Sequence, residues 1–564
     1  MVMALMLVLW SVTAAGQSLM ADPSHTMHPP VVHPMHLSGT FGELRSNHFH
    51  QGIDIKSRQG VSGDDVFSIM DGFVSRIKIS ASGYGNAVYI QHPNGLTSVY
   101  AHLGSFMISV AELVLQKQYE QENFEVDFKL TENFIKVRAG QYIGKMGSTG
   151  HSLGPHLHFE IRETATERLL NPLQYGFDFE DSVPPILKEL KIYHLDHRHI
   201  AYRNQTLDGT KSINDTMEID AWRIGIGVET FDPHNRGLNR NGLYQLELYC
   251  DDRLVWGFDM DNLTYEDCSY YLGHIDYEAK LKDGKIYHNC FRKPGNRAKF
   301  YLAGENDGVI PLFRDRLQKM KLIVSDFHGN QTIWSGYLRR SKVVSSPNYP
   351  TFQSVLPYDQ DNSLKHHGFS VEVPKGALFE TTFLSVEMKK NGLDGVAPIY
   401  QLSCLEAGLR KPIKISFHSP NLSDALKSKL VIAEVSDSIK PILIGGSFHG
   451  DTISANYDRF GQFTLVIDTI PPQIELTRNH VKGVDRLLRF KITDAQKYAN
   501  GLQKLKYTIH INDHWQLATY DLKSNQINCE LSRARYGNGE HLLQLIVSDY
   551  VGNQSTYDYR FNFN

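Results

Sequence analysis

Between residues 37 and 178, apolar and polar positions alternate in short runs broken by glycine, as in FVSRIKIS (73–80), NAVYIQH (86–92) and LTSVYAHL (96–103). A period of two puts one face of each run inside and the other outside, which predicts half-buried strands. Pro93-Asn94-Gly95 falls between two such runs and predicts a hairpin turn. AELVLQKQYEQEN (111–123) breaks the pattern: it is charged, free of turn residues and rich in good helix formers, so it predicts one helix inside a β domain.

The alternation continues to the end of the chain, with a repeat in it. DSVPPIL opens at Asp181 and LIVSDFHGNQT closes at Thr332; DTIPPQI opens at Asp468 and LIVSDYVGNQS closes at Ser555. Two matched ends in the same order argue for duplication. Residues 181–340 and 468–564 are therefore expected to be immunoglobulin-like β-sandwiches. The first is longer, with an insertion expected around Tyr265 to Pro311. Segments such as FSVEVP and PIKISFH predict a further β-sandwich over 341–467. The expected fold class is mainly β: an antiparallel β-sheet domain with a short helical insertion, followed by β-sandwich modules.

A chain of 564 residues exceeds one hydrophobic core and fits three to five domains. With 41% apolar and 21% charged residues it should fold throughout. A net charge of −4 gives no basic field for phosphates, so nucleic acid is excluded as a partner. MVMALMLVLWSVTAA at the start is uncharged and ends in small residues, which suits a signal peptide over 1–16 and a linker over 17–36. Export to the periplasm or cell envelope is expected. No other run approaches the ~20 apolar residues of a spanning helix, so no membrane span is expected. The five cysteines lack CxxC pairs, so a metal would rely on histidine and carboxylate, although Cys250, Cys268 and Cys290 are near enough for one bridge.

Among 26 histidines, the grouping in the first domain singles out a few. HFHQGID places His50 and Asp54 at i,i+4, and GPHLHFE places His156 and His158 at i,i+2. Even spacings share a face where the chain is extended. Two imidazoles and one carboxylate suit Zn²⁺ with a fourth position left for water or substrate. The helical HExxH pattern is absent, so the scaffold must be a sheet.

TFGELRSNHFHQGIDI (40–55), GYGNAVYIQHPNGLTSVYAHL (83–103) and IGKMGSTGHSLGPHLHFEIR (143–162) resemble the LytM/lysostaphin-type family of peptidoglycan metalloendopeptidases. The resemblance covers about a quarter of the chain. It implies His50, Asp54 and His158 as zinc ligands, and His102 and His156 as unligated catalytic histidines. His48 and His151 flank the motifs and are read as bystanders, and His92 as a turn residue.

The implied activity is zinc-dependent hydrolysis of peptide cross-links in bacterial peptidoglycan, with its peptide stems as substrate. The rival readings are a non-catalytic LytM-like regulator of cell-wall hydrolases and a zinc endopeptidase acting on an exported protein. About 25 residues (109–133) are inserted relative to compact members, as either a groove cover or peripheral decoration. Residues 181–564 show no comparable cluster of metal ligands and are expected to position the domain or bind a protein partner.

Overall fold

The alternating runs of the first domain assemble into one antiparallel sheet in the order Leu37–Gly39, Ile53–Lys56, His156–Glu163, Leu96–Ala101, Ala87–Gln91, Gly72–Ile79, Val126–Lys129. The structure is a computed structural model that describes residues 27–563 apart from 133, 178, 236–238, 303, 350, 390–395, 405, 420–421, 437–438, 483–484 and 500–503. The expected signal peptide and the linker up to residue 26 lie outside the described residues.

The central strand, His156–Glu163, is buried on both faces. Leu157, Phe159 and Ile161 point into the apolar core, and each such side chain contributes about 1.5–3 kcal/mol of burial. His158, Glu160 and Arg162 occupy the opposite face and are also buried. Burying three ionisable groups is tolerable only where they pair, so this face is where chemistry should be sought. A second, three-stranded sheet of Asp65–Phe67, Tyr142–Met146 and Leu103–Phe106 lies beside the first. The expected hairpin at Pro93-Asn94-Gly95 joins two paired strands, with Gln91 opposite Thr97.

The inserted helix runs Ile108–Gln121, starting earlier than the sequence reading, and stops where Glu122 turns left-handed at φ 46°. The rest of the insertion is not helical: Val126–Lys129 pairs with Gly72–Ile79 at the sheet edge, four strands from His158. This strand of the insertion therefore extends the sheet at the edge away from the candidate site.

Beyond residue 180, sheets of five and six strands form between Ile186 and Arg340, another five- and six-stranded pair lies mainly between Asn362 and Ile467, and two four-stranded sheets form between Gln473 and Phe563. The last two share one core, in which Leu488, Phe490 and Ile527 meet Ile509, Leu543 and Leu545. Residues 265–311 supply three short helices, Tyr265–Cys268, Tyr271–His274 and Tyr277–Asp283. Just before them, Asn262–Leu263 pairs with Leu169–Leu170 and so joins the N-terminal sheet. Phe41 and Phe49 share a continuous core with Met260, Leu263, Tyr271 and Ile275. All five cysteines are free, so the bridge among Cys250, Cys268 and Cys290 is not formed. Among the described residues, no helix is long and apolar enough to cross a membrane.

Candidate metal centre and active site

Strand register brings the predicted residues together. His158 lies opposite Asp54 on one side and Ala101 on the other, which places His102 next to the same spot. His50 arrives from the loop after Leu37–Gly39, held by backbone hydrogen bonds between His50 and Glu43 and between Gly42 and His50. His50 Nε2, Asp54 Oδ1 and His158 Nδ1 form a triangle with every edge 3.0 Å. In tetrahedral zinc sites with bonds of about 2.0–2.1 Å, ligand atoms lie about 3.3 Å apart, so the three donors fit such an ion.

Each remaining polar atom of the trio is engaged. His50 Nδ1–H donates to the Thr40 carbonyl at 2.8 Å, and His158 Nε2–H donates to Glu160 Oε1 at 2.8 Å. The Arg45 guanidinium donates to Asp54 Oδ2 at 2.7 Å. These contacts fix both tautomers and aim one lone pair from each ligand at a common point. Glu160 is in turn held by Arg162 at 2.6 Å and by the Tyr84 hydroxyl at 2.5 Å, and the Tyr84 ring stacks on His158.

Charge follows this wiring. Burial alone would lower the His158 pKa, but hydrogen bonds to Asp54 and Glu160 raise it to about 9, so Nδ1 offers its lone pair to a metal only by giving up a proton on binding. Burial works against ionisation of Glu160, yet Arg162 and His158 hold it at about 2. His50 is lowered by burial, and Asp54 stays well below the usual carboxylate range because His50 and His158 outweigh its burial.

His102 and His156 face the trio, with ring centroids 4.8 Å apart. His102 Nδ1–H donates to the Thr149 carbonyl at 2.8 Å, and His156 Nδ1–H donates to the Gly154 carbonyl at 2.8 Å. His156 Nε2 lies 3.5 Å from Asp54 Oδ1. Burial, then the neighbouring His158 and His156, pull His102 down to about 3, so its imidazole is neutral. His102 adopts φ 59°, a conformation disfavoured for a bulky side chain that persists only where the surroundings impose it. Its N–H donates to the Tyr84 carbonyl, and a Cβ on Gly147 would sit 2.8 Å from the His102 carbonyl oxygen. His92 is buried at the hairpin, bonded to the Asp71 carbonyl and to Ser98.

Sequence reasoning missed Arg45, Tyr84, Glu160 and Arg162. The signal for two of them was present: HLHFEIR continues the period of two that links His156 and His158, so Glu160 and Arg162 had to share their face. It also missed the contacts from later modules. Tyr271 donates to the Arg45 carbonyl and Lys280 to the Ser46 carbonyl, while Lys523 donates to the carbonyls of Ser148 at 2.5 Å and Ser152 at 3.2 Å. The expectation that residues 181–564 hold no metal-ligand cluster is corrected, because Asp181, Asp232 and His234 converge there. Asp232 and His234 stand at i,i+2, but Asp181 precedes them by 51 and 53 residues, beyond the reach of local spacing.

Residues 48–119 and 129–172 match the family model described as Peptidase family M23, and residues 353–468 match that of the Zu5-like domain. The chain is 39% identical over 119 residues to the DD-carboxypeptidase/endopeptidase Mpg of Neisseria meningitidis, covering 21% of each protein. It is 34% identical over 136 residues to the murein hydrolase activator NlpD of Escherichia coli, covering 24% of this chain and 28% of NlpD. The chain thus spans only 21% and 28% of the length of these two relatives. Among solved structures, the catalytic domain of lysostaphin from Staphylococcus simulans aligns at 23% identity over 25% of this chain and 88% of that one, with a TM-score of 0.18. The chain carries a Peptidase M23 (LytM-type) domain, followed by β-rich modules that include a Zu5-like domain.

Proposed function

We propose that this chain is an exported zinc-dependent endopeptidase of the periplasm or cell envelope that hydrolyses peptide cross-links of bacterial peptidoglycan. The observation that carries the reading is the pairing of a complete three-donor set, His50, Asp54 and His158, with two unligated histidines beside it. Zinc, when bound, supplies Lewis acidity at a scissile carbonyl and acidifies water toward a pKa of ~7. The neutral His102 keeps a lone pair on Nε2, because its proton sits on Nδ1 against the Thr149 carbonyl. His156 is oriented the same way by the Gly154 carbonyl. These two side chains accept the proton of the attacking water and return it to the departing amine. Arg45 and Glu160 act as positioning residues, through their hydrogen bonds with Asp54 and His158.

The likeness to an endopeptidase, Mpg, supports this reading, and the likeness to NlpD favours the second: a chain that activates another hydrolase without cutting. Digestion of purified sacculi by the zinc-loaded full chain, followed by mass spectrometry of the released muropeptides, separates the two. Loss of cross-linked dimers with gain of monomers supports the endopeptidase. Unchanged dimers contradict it, and cleavage of an exported protein with sacculi intact would move the substrate from wall to protein.

A further inference from the structure

We propose a second divalent-metal site in the first C-terminal module, formed by Asp181, Asp232 and His234 and separate from the peptidase centre. Their donor atoms all lie within 4.8 Å of one another. His234 Nε2 is 2.9 Å from Asp232 Oδ2 and 3.9 Å from Asp181 Oδ2. They come from two distant points of the sequence: Asp181 opens the DSVPPIL segment, and Asp232 and His234 follow the strand Arg223–Phe231.

The acids alone would not argue for an ion; their leftover oxygens do. The side chain of Asp181 is 0% exposed and that of Asp232 3%, yet Asp181 Oδ2 and Asp232 Oδ1 have no hydrogen-bond partner among the described residues. Asn241 Oδ1, on a residue 2% exposed whose backbone pairs with Asp232, is also unpartnered. Two desolvated carboxylates side by side cost several kcal/mol unless a cation offsets them. Among the described residues, no lysine or arginine forms an ion pair with either.

The duplicated module supplies an internal comparison. Asp468, Asp494 and Asp549 hold the places of Asp181, Asp232 and Asp326, each at the same end of a matching strand or segment. Asn330 donates to the Asp181 carbonyl as Asn553 does to the Asp468 carbonyl, so the acids have a shared turn-forming role. Two residues after Asp494, however, stands Gln496 where the first copy has His234. In that copy the Tyr498 hydroxyl donates to Asp468 Oδ2, the oxygen matching the open Asp181 Oδ2. The copy with the imidazole leaves an oxygen open on both Asp181 and Asp232, whereas the copy without it caps the first of these positions and leaves one oxygen open only on Asp494. Mixed imidazole and carboxylate donors suit zinc-like transition ions, whereas calcium takes oxygen alone.

The site adjoins a small cavity lined by Thr40, Phe41, Phe179 and Leu243, at the junction with the peptidase domain. An ion there would pin the start of this module beside Thr40, whose carbonyl orients His50.

The test counts ions on the full chain, stripped with chelator and titrated with zinc alone against a competing indicator. The expected stoichiometry is two for wild type, one for His158→Ala and one for His234→Gln, the last reproducing the residue of the second copy. Zinc should also raise the unfolding temperature of His158→Ala, and this rise should vanish when His234→Gln is added. Circular dichroism of each variant reports folding, and the wild-type count stands without any variant. One zinc in wild type and none in His158→Ala would overturn the second site. A midpoint raised by calcium but not zinc would overturn its donor set. Because the count requires no cleavage, it fails or succeeds independently of the peptidase reading.

Discussion

At the scale of single residues, the site is a set of fixed orientations. Asp54→Ala or His158→Ala removes one donor of three, and the expected result is loss of the peptidase-centre zinc by elemental analysis together with loss of hydrolysis. Glu160→Gln is subtler. The amide oxygen can still accept the His158 proton, but the negative charge that raises the basicity of that imidazole is gone and Arg162 keeps only the exposed Glu167 as an ionic partner. Zinc affinity is expected to fall ~10–100-fold, the usual scale for such a supporting group, in a competition titration. An unchanged affinity would mean that Glu160 serves Arg162 and not the metal ligand. His50, Asp54, His156 and His158 could be picked out because they stand in short motifs with even spacing, whereas His102 entered only through the family resemblance. Arg45 could not be picked out, since nothing in TFGELR says that the loop folds its guanidinium back onto Asp54.

At the scale of elements, the strands were legible and their partners were not. Alternation gives the faces of His156–Glu163 but says nothing of which later segment covers them. The short helices of residues 265–283 do so in part, and they bring a buried histidine pair against Phe49: His274 Nε2 and His288 Nδ1 lie 2.8 Å apart. Burial lowers His288 to about 4 and holds His274 well below its ordinary value. Between the ordinary value of about 6.5 and about 4, the unfolded chain takes up a proton at His288 that the folded chain refuses. Stability is therefore whole above pH 6.5 and falls as the pH drops, by about 3 kcal/mol for His288 at pH 4. Chemical denaturation of wild type and His288→Phe at pH 7 and pH 4.5 checks this, and the variant should lose less stability on acidification. An equal loss in both would assign the acid sensitivity elsewhere.

At the scale of the whole molecule, the C-terminal modules are part of the frame that holds the peptidase domain. Phe124 of the insertion packs on the core of the last module, Tyr119 meets Trp515 edge to face, and Lys504 pairs with Glu125. Lys523 of that same module reaches the loop that orients His102 and His156. Phe41 and Phe49 share their core with Tyr271, Ile275 and Phe300, and at about 1.5–3 kcal/mol each these side chains are together comparable to a typical domain stability of about 5–15 kcal/mol. A fragment of residues 27–178 is expected to show no cooperative thermal transition by circular dichroism, whereas residues 27–340 should show one. A sharp transition in the shorter fragment would contradict the shared core. Such long-range packing is invisible to local periodicity, which is why the sequence shows the motifs of the first domain but not its dependence on the rest.

The central claim is that His102 and His156 move protons beside a bound metal, and turnover of one defined cross-linked muropeptide dimer tests it most directly. Full-length wild type, His102→Ala and His156→Ala, matched for zinc content at the peptidase centre, are compared by mass spectrometry of the products. Wild type should split the dimer into two monomers with uptake of one water, and both variants should keep their zinc while slowing at least ~100-fold. Zinc-loaded wild type that leaves the dimer whole, or variants that cut it at the wild-type rate, would contradict the claim.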